Sequence, residues 1–148
     1  MRNAIAVVVM MFFTQTAWAG AWGTGAFEND DALEWLSACV QAPKNSAVSD
    51  ALNAVFDSEF VGGDIGAAAI AAAEAVAAQR GRPSPNLPSD LRICLEHQTK
   101  SIALAASAAK AVERVRNPET SELAAEWTKN VLIAWQASLD DLVKRLAQ

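Results

Sequence analysis

His97 is the single histidine of the 148-residue chain, and Glu96 stands directly before it. An imidazole beside a carboxylate suggests proton transfer, but neighbours in a helix do not face each other. The spacing instead predicts a solvent-facing histidine near a helix end. Asp30 and Asp31 are adjacent as well, which poorly suits a convergent acid–base pair. Serine, histidine and aspartate all occur, yet no segment has the pattern of a nucleophile elbow. Asp57, Glu59 and Asp64 offer oxygen ligands without the spacing of an EF-hand calcium loop. Cys39, Cys94 and His97 fall short of the four ligands of a structural zinc site. No catalytic residue, metal ligand set or cofactor is therefore predicted, and an enzyme would need groups assembled from distant segments.

The chemistry that remains is a disulfide and a surface. Cys39 and Cys94 are the only cysteines, and bridging them closes a loop of 56 residues. In the chain-entropy view such a loop contributes about 4 kcal/mol. The alternative is two separate buried thiols behaving as small hydrophobes. Compartment favours the bridge. Arg2, the apolar run over residues 4–13 and Ala17-Trp18-Ala19 follow the order of a secretory signal peptide, with cleavage predicted between Ala19 and Gly20. A retained anchor would need about 20 apolar residues, and this run has ten. Export places cysteines where disulfides persist. The predicted division is a signal peptide over 1–19 and one domain over 20–148, in the periplasm or secreted.

The distinctive segment follows the predicted cut. Trp22, Phe27, Asn29, Asp30, Asp31 and Trp35 lie within Gly20-Ala21-Trp22-Gly23-Thr24-Gly25-Ala26-Phe27-Glu28-Asn29-Asp30-Asp31-Ala32-Leu33-Glu34-Trp35-Leu36. Two uses compete. As a lock, Gly23 and Gly25 permit tight backbone, Phe27 staples the entering chain, and the indoles are buried. As a recognition surface, Trp22 and Trp35 supply hot-spot aromatics and the acidic residues form a rim for a basic partner. A phosphate loop is excluded, because the Walker spacing and lysine are missing and carboxylates stand where phosphate would sit.

This segment resembles the opening of the bacterial domain of unknown function 4259 family. The alanine-rich stretch 67–78, and Ser121-Glu122-Leu123 with Trp127, resemble its later segments. The resemblance covers essentially all of 20–148 and implies no activity. Many members resemble cytoplasmic proteins in which the motif follows the initiator methionine. Here a signal peptide precedes it, and both routes would expose an N-terminal glycine. The freed amine and Trp22 are thus expected at a defined place in the fold.

The elements that must position these residues are helices. Asn29-Asp30-Asp31 can begin the first, with Asp31 and Glu34 as an alternative capping box, and Pro43 ends it. Ser46 or Ser49 opens a second, with Val48, Ala51, Leu52, Val55 and Phe56 on its apolar stripe. Gly62-Gly63 is a break, and Asp64 caps an alanine-dominated helix over 65–80 that stops at Gly81. The proline-rich stretch 82–88 is a loop, and Ser89 caps a short helix to about Glu96. After the polar stretch 97–101, Ile102, Ala105, Ala109 and Val112 share a face. Asn117-Pro118 is expected to open a last helix carrying Leu123, Trp127, Val131, Trp135, Leu139, Leu142 and Leu146. The fold class predicted is all-α, a single-domain bundle of five or six helices.

Seventeen acidic residues against twelve basic give a net charge of −5, and loss of Arg2 makes the predicted mature chain −6. A negative surface repels nucleic acid and anionic lipid, so neither nucleic acid nor stable membrane insertion is expected. A protein partner with a basic surface fits better. The leading functional expectation is a non-catalytic exported domain that binds protein, of inhibitor or immunity type. A small-ligand carrier or envelope stress protein is the alternative, and a hydrolase stands third. The oligomeric state is not encoded legibly.

Overall fold

The computed structural model describes residues 21–41, 45–98, 103–127 and 129–148. Among these residues seven helices run in order: α1 (Asp30–Gln41), α2 (Ala47–Asp57), α3 (Gly63–Gln79), α4 (Asp90–Glu96), α5 (Ala103–Val115), α6 (Glu122–Ala125) and α7 (Lys129–Ala147). Extended pairing among the described residues is confined to isolated bridges, such as Val61 with Ser121. Residues 1–19, over which a signal peptide is expected, and Gly20, Pro43, Thr99, Lys100, Ser101 and Ile102 lie outside the described residues.

The alanine-rich α3 is the hub. It is buried almost all round from Gly66 to Ala77, and α1, α2, α5, α6 and α7 all pack on it. Alanine makes this geometry accessible, because it favours helix and its short side chain lets neighbouring helices approach closely. The helix ends where Gly81 adopts φ +81°. Gly81 N–H donates to Ala78 O and Arg82 N–H to Ala77 O, the paired bonds of a glycine-terminated helix. At the other end Gly62 is the N-cap, so Asp64 lies in the first turn rather than at the cap. The Glu122 carboxylate reaches Gly63 N–H at 2.7 Å, a capping role taken by a residue remote in sequence.

The amphipathic helices lay their stripes on this hub. Val48, Leu52 and Val55 of α2 are buried, whereas Phe56 is 44% exposed. Ala105, Ala108, Ala111, Val112 and Val115 of α5 face inward. Cys39 of α1 and Cys94 of α4 form a disulfide with Cα atoms 5.4 Å apart, so the bridge binds the first helix to the fourth.

The helix count of five or six is corrected to seven, because the expected last helix divides. The Asn117 side chain accepts Glu119 N–H at 2.9 Å, and Thr120 N–H donates to Asn117 O, which closes a turn instead of opening a helix. Ser121 is then extended at φ −142°, ψ 129°, since Val61 pairs with it as a parallel bridge. The chain makes the single turn of α6 and restarts as α7. Trp135, Leu139, Leu142 and Leu146 keep the buried stripe, while Val131 in the first turn of α7 is exposed.

Candidate functional site

The N-terminal motif folds as a closed loop ahead of α1. Ala21 and Asn29 pair as an antiparallel bridge, and Trp22 N–H donates to Glu28 O at 3.0 Å. The Glu28 carboxylate turns back to accept Gly25 N–H at 2.7 Å. A Cβ on Gly23 would stand 2.2 Å from Glu28 Oε2, so the absence of a side chain there lets the carboxylate in. The glycine-rich loop thus binds a carboxylate of its own chain. Asn29 Oδ1 accepts Ala32 N–H at 2.7 Å and is the N-cap of α1, which decides between the two starts open from sequence. Phe27 joins the core, and Ser138 Oγ of α7 donates to Thr24 O at 3.1 Å.

The six motif residues therefore separate. Phe27 and Asn29 are internal ties. Trp22 is 59% exposed, and Asp30 is exposed in the first turn of α1. Asp31 and Trp35, one helical turn apart, are both half-buried and share a face. Trp35 forms one wall of an open cleft of about 390 Å³ between α1, α2 and the start of α3. Alanines and Ile65 line it, and Asp50 and Asp64 supply its carboxylates. Small side chains leave the space; the tryptophan gives it a flat aromatic side.

Electrostatics at this face run one way. The Asp31 carboxyl is raised above its ordinary value of 3.8, by burial first and then by Asp64, Glu34 and Asp30. Each neighbouring anion makes ionisation harder. Ion pairs among the described residues involve Glu74, Glu96, Glu113, Asp140 and Asp141, and none reaches Asp31, its acidic neighbours or Asp50. Among the described residues the Asp50 carboxylate accepts a hydroxyl, from Ser46 at 2.8 Å.

A second cluster escaped the sequence. Glu74, in the middle of α3 and 5% exposed, receives two bonds from the Arg145 guanidinium at 2.8 and 2.5 Å. Arg145 Nε also donates to Asp141 at 2.7 Å, and Nη1 to Arg82 O at 3.1 Å. The pairing with Glu74 is the largest influence raising the Arg145 pKa, against desolvation. Crevices of about 380 and 290 Å³ flank Glu74, and both are bordered by Gly25 and Ala26 of the loop. The available sequence signal is Glu74 itself, the sole charge between Asp64 and Arg80. A buried pair with every guanidinium edge engaged is a tie between α3, α7 and the loop after α3.

His97 is exposed at the end of α4, away from the cleft's lining. Among the described residues no three His, Cys, Asp or Glu side chains gather as a metal site, and no helix is long and apolar enough to cross a membrane. Neither a curated protein nor a solved structure matches the chain. The family described as domain of unknown function (DUF4259) matches residues 20–138, and the chain belongs to it.

Proposed function

We propose that this protein is an exported, non-catalytic binding domain whose acidic, aromatic face on α1 engages a basic protein, in the manner of an inhibitor or immunity factor. The observation that carries the proposal is the gathering of Asp30, Glu34 and Asp64 about Asp31, one helical turn from Trp35, with no cation paired to them among the described residues. Like charges held together without internal partners cost stability, and such arrangements concentrate at functional sites. Complementary charge steers association with a basic partner. Export is supported by the signal-like N-terminus, by the Cys39–Cys94 disulfide, and by a family match that begins at Gly20, the first residue after the predicted cut.

The test is affinity capture from the cell envelope, comparing wild type with an Asp30→Asn, Asp31→Asn, Glu34→Gln variant. The expected result is a basic protein retained by wild type, released by salt and absent from the variant. Identical captured sets would overturn the proposal. A mass beginning at Gly20 for the envelope form tests export separately.

A further inference from the structure

The face on α1 attracts positive charge, and the cleft beside it has the shape for one particular form of it. Its walls are apolar: Ala51 and Ile65 line it together with the half-buried Trp35. Its polar groups are two carboxylates, Asp50 from α2 and Asp64 from the first turn of α3. Apolar walls exclude a hydrated metal ion, which needs several oxygen ligands at once, and two anions exclude an anionic or purely hydrophobic guest. What fits is a cation carried on an apolar stem.

Among protein side chains that description leaves lysine and arginine. The geometry favours arginine. Its guanidinium is flat, weakly hydrated and stacks on an indole face. Its five donors also suit two separate carboxylates, whereas the lysine ammonium is a compact, strongly hydrated point charge. Its three methylenes would lie along the alanine walls, as long cationic side chains bury their stems while keeping the charge at polar groups. The cleft, at about 390 Å³, falls within the usual size of a ligand pocket of about 300–1,000 Å³, ample for one such side chain.

We infer that the cleft between α1, α2 and α3 seats an arginine side chain of the partner protein, with the guanidinium against Trp35 and between Asp50 and Asp64. The inference rests on the proposed binding of a basic protein and specifies where its anchoring residue goes. Asp50 keeps one oxygen on Ser46 and retains the other for the guest. Asp64 makes no ion pair among the described residues. The neighbouring Asp31 and Asp30 then act as an outer attractive rim, shortening the search without touching the guest.

The experiment is an NMR titration of the protein with three blocked tripeptides, Gly-Arg-Gly, Gly-Lys-Gly and Gly-citrulline-Gly, following the Trp35 indole N–H and the amides of Ala51 and Asp64. The arginine peptide is expected to give saturating shifts confined to these groups. Binding should weaken about tenfold in Asp64→Asn or Asp50→Asn, as expected when a charge-assisted contact is lost. Citrulline, of the same shape without the charge, should fail to saturate. Equal response to arginine and citrulline, stronger response to lysine, or shifts centred elsewhere would overturn the assignment. These readouts need no partner: charge-dependent capture without arginine in the cleft sinks the cleft assignment alone. Arginine in the cleft with no charge-dependent capture sinks the basic-partner proposal alone.

Discussion

At the scale of single residues, the carboxylates sort by whether the chain itself supplies their partner. Glu28 closes on Gly25 N–H, Glu122 on Gly63 N–H, and Glu74 on Arg145. Glu74→Ala takes from a mostly buried guanidinium its buried carboxylate, leaving the exposed Asp141 and Arg82 O as its remaining partners, and a loss of about 3 kcal/mol is expected in chemical denaturation. A double-mutant cycle with Arg145→Met should recover much of it, because an apolar replacement of the whole pair avoids the stranded charge. Asp31 behaves in the opposite sense. Its carboxyl is raised above 3.8 in the fold, by burial and by Asp64, Glu34 and Asp30. Below that unfolded value it is protonated in both states and costs nothing. As pH rises from 3.8 to the folded value, the unfolded chain ionises first and stability is lost, the loss being complete above the folded value. Asp31→Asn is therefore expected to raise the Tm at pH 7, with the gain vanishing below pH 3.8. Thermal melts across that range measure it.

At the scale of elements, local signals were trustworthy where nothing distant competed with them. Asn29 was legible as a helix start and caps α1 through Ala32 N–H, so Asn29→Ala should cost about 1 kcal/mol in an unfolding titration. Gly81 was legible as a stop because only the backbone of its own helix is involved. Asn117 carried equally good start signals, and there the expectation failed. Its side chain serves a turn, and the extended Ser121 is held by Val61 from a segment far away in sequence. Phe56 fits the apolar stripe of α2 but falls outside the core, since the stripe that α3 and α5 cover is narrower than periodicity alone suggests. A helical pattern locates a face; it does not say how much of that face a neighbour will cover.

At the scale of the molecule, the all-helical class was legible because helical spacing recurs along the whole chain, and the cysteine pairing was expected from the signal-like N-terminus together with there being two cysteines to pair. The disulfide joins α1 to α4 across a sequence separation of 55. The Cys39→Ala, Cys94→Ala double variant is expected to lose about 2–5 kcal/mol by chemical denaturation. The candidate cleft was legible in the sequence only at its aromatic wall. Trp35 stood out in the motif, with Asp31 one turn before it, but Asp50 and Asp64 reach the cleft beside Trp35 from other helices, and no spacing rule links three separate segments. Asp64 looked like a cap, and only the packing of α1 and α2 onto α3 made it a wall. The most direct test of this acidic, aromatic site is the Asp31 carboxyl pKa by carbon-detected NMR, with and without the arginine tripeptide. A guanidinium between Asp50 and Asp64 would offset the repulsion from Asp64 that Asp31 feels. The value should lie above 3.8 in the free protein and fall on saturation with peptide. A value at or below 3.8 that the peptide leaves unmoved would contradict the account.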